Sequence, residues 1–100
     1  MGKPIEVAAS TIVGDVLLLD TDRSITGQDG VGYESAEAAA ADEAFPGRLA
    51  ARIFEVVDRV SHVFIASNQV VVGRSGGWDD NAAATASEIV SGFFVFYTDA

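Results

Sequence analysis

Residues 45–74 constrain the fold of this chain more than any other segment. They read FPGRLAARIFEVVDRVSHVFIASNQVVVGR. The first third carries apolar residues at helical spacing, which is typical of a helix that buries one face. These are Leu49, Ala50, Ile53, Phe54 and Val57. Residues 60–66 and 70–72 are rich in β-branched and aromatic side chains, and Ser67-Asn68-Gln69 between them is typical of a tight turn in which Asn tolerates the left-handed conformation. The segment therefore predicts a helix at about 47–57 that runs directly into a β-hairpin.

Two further strands and a short helical turn are predicted upstream. Residues 15–20, DVLLLD, form a short apolar run between polar residues, which indicates a buried strand. Residues 25–34 carry three glycines and predict a weak strand, which could pair with the first. Ser35 is a good N-cap for a helical turn at 36–43, and Pro46 separates that turn from the main helix.

A second long helix is predicted to begin near Trp78-Asp79-Asp80, with either aspartate as its N-cap. Its apolar stripe comprises Ala82, Ala86, Ile89, Val90, Phe93 and Tyr97. Gly92 followed by FFVFY fits either a strand or a last helical turn. The predicted order is thus β-β-α-β-β-α. We expect one α+β domain over residues 1–100, a two-layer sandwich with two helices on one face of a small antiparallel sheet.

Charge and composition narrow the classes of function. The chain has 15 acidic and 6 basic residues and a formal charge of −9, which argues against partners such as nucleic acid or anionic membrane surfaces. Its 49% hydrophobic content suffices for a core, and no apolar run approaches the roughly 20 residues of a membrane helix. The absence of cysteine excludes disulfides and thiolate metal sites. The N-terminus does not resemble a secretory signal, and we expect a cytoplasmic location.

The pattern of residues 14–96 resembles the N-terminal domain of Nfu/NifU-type iron–sulfur scaffold proteins. That family has a helix with a Pro-Leu-Ala-x-x-Leu-Phe run, a Val-x-x-Val-Phe-Phe strand, a partner strand, and a Trp-containing entry to a helix that ends in aromatics. The matching positions here are Leu49-Ala50, Ile53-Phe54, Val60, Val63 to Ile65, Val71, Trp78 and residues 89–94.

The resemblance implies an accessory or partner-docking role rather than cluster binding. In these scaffolds the Cys-x-x-Cys cluster ligands belong to a separate C-terminal domain, and this chain has no cysteine. Other departures are the missing asparagine- and proline-rich opening, Gly47 between proline and leucine, and Gln69 in place of the usual aromatic after the hairpin turn.

The residues that carry chemistry elsewhere do not form a recognisable reaction centre here. His62 is the only histidine, and on its strand it shares a face with Val60 and Phe64. Asp20 and Asp22 lack the spacing of a calcium loop. We therefore predict no catalytic, cofactor-binding or metal-binding residue and no cofactor, and an enzyme that uses Asp20, Asp22 or His62 is the weakest hypothesis.

The functional prediction is a non-enzymatic protein-interaction module, linked to iron–sulfur cluster assembly through a protein partner. Its candidate docking residues are aromatic: Trp78, Phe93, Phe94, Phe96 and Tyr97. The alternative is a small acidic structural homodimer that uses the aromatic C-terminus or the edge strand of a hairpin. Both readings stay open on the residues alone, as does the oligomeric state.

Overall fold

The structure is a computed structural model that describes residues 7–22 and 30–98, with side chains described as far as residue 92. It contains five strands and three helices within those ranges. They are β1 (Val7–Val13), β2 (Val16–Thr21), β3 (Val31–Tyr33), α1 (Ala36–Ala41), α2 (Phe45–Val56), β4 (Val60–Ala66), β5 (Gln69–Arg74) and α3 (Asp80–Thr98). The five strands form one antiparallel sheet in the order β1-β2-β5-β4-β3. The predicted α+β class with a small antiparallel sheet is confirmed.

The hydrophobic core lies between one face of this sheet and the helices. The sheet contributes alternate residues of its central strands, and these are fully buried. They are Leu17, Leu19, Val63, Ile65, Val70 and Val72. The helices contribute Ala39, Leu49, Ala50, Ile53, Ala86 and Val90 to the same cluster. The stripe predicted for the main helix thus buries Leu49 and Ile53 as expected, and all three helices add to one layer.

Two features of the sheet differ from the sequence predictions. Residues 7–13 form β1, a strand that was not predicted, because their small and polar side chains do not alternate with apolar ones. The glycine-rich strand was expected to pair with the first strand. It is reduced to β3, and it pairs with β4 at the opposite edge. That part of the prediction is wrong, and the N-terminal part of that stretch lies outside the described residues.

The helix boundaries follow local signals in the chain. The Ser35 side chain caps α1 by accepting a hydrogen bond from the Ala38 backbone N–H at 3.0 Å. Pro46 lies in the first turn of α2, where its missing N–H costs nothing. Gly47 is buried in the same turn. A larger residue would not fit, because a Cβ at this position would lie 2.2 Å from the Asp42 carbonyl oxygen. The close approach locks the start of α2 against the end of α1.

The structure of α3 decides which aspartate is its N-cap and whether its C-terminal segment is helix or strand. Of the two aspartates at its entry, Asp79 accepts a hydrogen bond from the Ala82 N–H at 2.7 Å. The helix then continues to Thr98, so the FFVFY segment is helical rather than a strand.

Two tight turns connect the antiparallel neighbours. Gly14 adopts φ 60° between β1 and β2, as a two-residue hairpin loop with glycine at its first position requires. Between β4 and β5 the positive φ falls on Ser67, at 54°, rather than on Asn68 as predicted. Asn68 instead donates its side-chain amide to the Thr21 carbonyl, at 3.1 Å, and ties the second turn to the end of β2.

Candidate functional site

One face of the sheet packs on the helices, and no described residue covers the other. A row of side chains crosses this uncovered face from edge to edge, one residue from each strand. We call it the outer row: Thr11, Leu18, Val71, Phe64 and Gly32, which are successive partners in the strand registers. Phe64 in this row is 40% exposed, whereas its neighbours along β4, Val63 and Ile65, are fully buried on the opposite face. The outer row is therefore an apolar strip open to solvent.

The sequence of the central strands explains why both faces are apolar. Successive side chains of a strand point to opposite faces, so a half-exposed strand normally alternates apolar with polar residues. The VLLL run of β2 and the VVV run of β5 do not alternate. Leu18 and Val71 are consequently placed on the uncovered side, where each is partly exposed.

Polar groups border the outer row on both sides. Toward one end of the strands, the Gln69 side chain donates to Asp20 Oδ1 at 3.0 Å. Toward the other end, the His62 ring lies over Gly73: a Cβ on Gly73 would fall 2.1 Å from His62 Cε1. The His62 Nδ1 is 3.2 Å from the Ser61 hydroxyl. An apolar centre with a polar border is the usual anatomy of a protein interface.

Charge is distributed unequally between the two sides of the domain. Among the described strand residues that face outward with the outer row, Asp20 is the only charged one. The other acidic side chains of the described chain lie on helices, turns and strand ends, for example Glu37, Asp58 and Glu88. Depletion of charge at the centre of a patch is the compositional signal of an interface.

A second polar cluster lies on the covered side, around the guanidinium of Arg74, which is 6% exposed. Arg74 donates through Nη2 to Asp58 Oδ1 at 2.9 Å, through Nε to the Asp58 carbonyl at 3.1 Å, and through Nη1 to the Gly77 carbonyl at 2.8 Å. The hydrogen bond from Arg74 holds the pKa of the Asp58 carboxyl below its usual value. These bonds tie the chain after α2 to the end of β5.

A cleft of about 230 Å³ lies beside this cluster, lined by residues such as Val56, Asp58 and Thr85. Ligand pockets usually measure about 300–1,000 Å³. The cleft is smaller, and the arginine on its wall already bonds to three oxygens. We interpret this cluster as a structural clamp rather than as a binding site.

A third polar contact links α1 to β3. The Tyr33 hydroxyl donates to Asp42 Oδ2, and Asp42 Oδ1 accepts from the Ala44 N–H at 3.0 Å. Burial, followed by the bond to Asp42, raises the pKa of Tyr33 well above its ordinary value. The same bond, with the Ala44 N–H second, lowers the pKa of Asp42. The pair fixes the short helix at the edge of the sheet.

Of the candidate docking residues named from the sequence, Trp78 has a described side chain. Trp78 is half-buried against the core, and its Nε1 donates to the carbonyls of Asp15 and Val72 at 3.0 and 3.2 Å. Its ring centre is 5.8 Å from Arg74 Cζ. The other candidates belong to α3, and the structure describes their backbone but not their side chains: Phe93, Phe94, Phe96 and Tyr97.

The residues weighed for catalysis are also dispersed. His62 shares a face with Phe64, as predicted, and that face is the uncovered one. Val60 was predicted to lie on the same face but packs against the core instead, because the register shifts between Val60 and His62. Asp20 lies near the end of β2, and Asp22 follows that strand. Across residues 7–22 and 30–98, no group of three or more His, Cys, Asp or Glu side chains is placed to hold a metal ion. None of the helices described here is both long and apolar enough to cross a membrane.

The outer row was missed by the reasoning from sequence. The signal was present in the non-alternating runs of β2 and β5, together with too few helices to cover two faces of a sheet. Searches against protein-family models, curated proteins and solved structures find no match to this chain. Fold and surface together define a class: a small two-layer α+β domain with one apolar sheet face that no described residue covers.

Proposed function

We propose that this domain is a non-enzymatic docking module of the cytoplasm that binds a protein partner in iron–sulfur cluster assembly. The observation that carries the docking role is the outer row, an apolar strip that the monomer leaves exposed. A contiguous exposed apolar patch commonly marks an interaction site. The link to cluster assembly is supported by the motif resemblance of residues 14–96 and by the element order, in which a helix leads directly into a hairpin.

The charge of the domain indicates what kind of partner fits. A formal charge of −9 disfavours nucleic acid and acidic surfaces. The outer row itself presents no charge, so its partner is expected to offer an apolar patch, with a basic residue at the periphery opposite Asp20.

The pathway is tested by combining capture with a genetic readout. The tagged domain is used to capture proteins from its own cell extract, and cluster-dependent enzyme activities are measured in a strain that lacks it. We expect recovery of a known cluster-assembly protein and lowered activities. Failure to recover any such protein, together with normal cluster-enzyme activities in the deletion strain, would contradict the pathway.

The docking surface is tested with a matched pair of substitutions. Phe64→Ala shortens an outer-row side chain that is 40% exposed, and Val56→Ala shortens a side chain on α2 that is 42% exposed. Loss of a central interface aromatic commonly costs 2 kcal/mol or more, which is roughly a thirtyfold weaker complex. We expect this for Phe64→Ala and about no change for Val56→Ala. Equal binding by both variants would place the docking site elsewhere.

A further inference from the structure

The two edges of the sheet differ in length and protection. β3 forms one edge with three residues, whereas β1 forms the other with seven. β1 pairs with β2 on one side, and no described residue pairs with its other side. The seven residues, VAASTIV, include no charge and no proline. Natural proteins usually protect such edges with charged residues, prolines, bulges or covering segments, because an open edge is a template for another strand. β1 has one register irregularity, between Val7 and Ala9, and residues 9–13 beyond it pair regularly with β2.

The hairpin loops show which backbone groups of β1 point away from the sheet. The carbonyl of the first flanking residue of a two-residue loop bonds the N–H of the second, so Val13 and Val16 form a hydrogen-bonded pair. Bonded and non-bonded pairs alternate along an antiparallel ladder. Thr11 therefore directs its N–H and C=O toward β2, while Ser10 and Ile12 direct theirs outward.

The second hairpin gives the same assignment independently. Its loop makes Ala66 and Gln69 a bonded pair, so Val70 and Val72 direct their backbone groups toward β2. Their partners on β2, Leu19 and Leu17, therefore direct their backbone N–H and C=O groups toward β5. Leu18 between them directs its groups toward β1, where its partner is Thr11. The outward groups of Ser10 and Ile12 thus follow from both ends of the sheet.

We propose that a second copy of this chain occupies the β1 edge, by antiparallel pairing of the two β1 strands about a two-fold axis at Ser10. An open edge accepts an extended strand through main-chain hydrogen bonds. In this register Ser10 faces its own copy, Ala9 faces Thr11, and Ala8 faces Ile12. Val7 lies beyond the irregularity of β1 and is not needed for the pairing. No charged residue is opposed to another, although each chain carries a charge of −9. β1 is therefore a suitable partner for itself.

The symmetry of this contact limits assembly to a dimer. A two-fold contact uses the same edge on both copies and closes. The remaining edges are the three-residue β3 strands, which offer little to a third copy. The product is a ten-stranded sheet whose two outer rows lie on the same side, so the uncovered face is doubled. This inference stands on the edge geometry and does not need the cluster-assembly proposal.

The sharpest test introduces a charge at the two-fold axis. Ser10 is exposed, so Ser10→Lys and Ser10→Glu are expected to fold as the original chain does. Each variant opposes two like charges at the two-fold axis, which disfavours pairing. Sedimentation equilibrium of the original chain should show a mass that rises with concentration from 10.4 kDa toward twice that value. Each variant alone should dimerise at least about tenfold more weakly, and an equal mixture of the two should recover dimer.

Two matched controls separate the edge from general charge effects. Ser75→Lys and Ser75→Glu make the same changes at an exposed turn residue away from β1, and they should dimerise as the original chain does. Added salt should strengthen dimerisation of the original chain, because it screens the repulsion between two acidic copies.

Amide hydrogen exchange tests the register without any substitution. The N–H of Thr11 should be protected at every concentration, while those of Ser10 and Ile12 should become protected only as dimer forms. A mass that stays at 10.4 kDa at high concentration and high salt would overturn the proposal. So would a dimer that persists in both Ser10 variants, or a mixture that fails to restore it.

Discussion

The two faces of the sheet have nearly the same composition and opposite surroundings. Leu17 and Leu19 are fully buried under the helices, while Leu18 between them lies on the open side. Val70 and Val72 repeat the contrast with Val71. Burial under helices explains why the inner residues must be apolar. Nothing in the described fold requires it of the outer ones, and the docking proposal accounts for it by a partner that covers that face.

The largest test of this contrast uses neighbouring leucines on opposite faces. Leu19→Ala deletes a fully buried side chain, and such changes cost about 2–5 kcal/mol of unfolding free energy. Leu18→Ala removes a partly exposed one and should cost less than about 1.5 kcal/mol, because less surface is withdrawn from water. Urea denaturation measures both losses of unfolding free energy, provided that its dependence on urea concentration has the same slope in each variant. Equal losses would mean that the outer face is covered in the isolated chain.

Two glycines provide a second comparison of the faces. Gly47→Ala forces a Cβ against the Asp42 backbone carbonyl, and the packed helices of the covered side cannot yield easily. We expect a loss of about 1–3 kcal/mol, typical of overpacking. Gly73→Ala meets the His62 and Ser61 side chains on the open side, which can rotate away. Its loss should stay below about 1 kcal/mol, with a change in the His62 ring resonances. A larger loss for Gly73→Ala in thermal unfolding would show that His62 is held in place.

The contrast between the faces also shows what the sequence reveals. The helical stripe of α2 and the Ser35 cap are local patterns, and both were predicted correctly. β1 is made a strand by its pairing with β2 rather than by its own composition, so periodicity could not find it. The pairing of β3 with β4 is a contact between residues about 30 positions apart, and no local signal specifies it.

The site was less predictable than the fold, for a related reason. An aromatic residue attracts attention as a docking candidate, yet Trp78 uses its N–H and ring within the domain. The exposure of Phe64 depends on which face the helices cover, and that is a property of the whole packing. Strand alternation placed Phe64 and His62 on one face, but it did not indicate that this face is the open one.

The smallest expected effect concerns the polar clamp that holds the covered side together. The pKa of Asp58 is lowered in the folded state by its bond to Arg74, so the folded chain binds fewer protons than the unfolded chain in that range. The resulting stability is present above the ordinary pKa of 3.8 and is lost as pH falls through the lower folded value. Asp58→Asn should therefore lower Tm at neutral pH, and its Tm should decline less than that of the original chain below pH 4.

Arg74→Met supplies the control for this pH dependence, because it removes the largest cause of the lowered pKa of Asp58 while keeping an apolar stem beside Trp78. The attraction of Arg59, whose Nε lies 3.4 Å from Asp58 Oδ2, remains. In the Arg74→Met background Asp58→Asn should change the acid limb of the Tm profile much less than it does in the original chain. Asp42 contributes separately to the acid limb through its bond to Tyr33, and that part should shrink in Tyr33→Phe, where the Ala44 N–H is the bond that remains. An acid limb unaffected by Asp58→Asn in the original chain would show that the Arg74 clamp does not depend on the carboxylate. The two backbone carbonyls that Arg74 also binds, those of Asp58 and Gly77, would then suffice to hold the helices on the covered face.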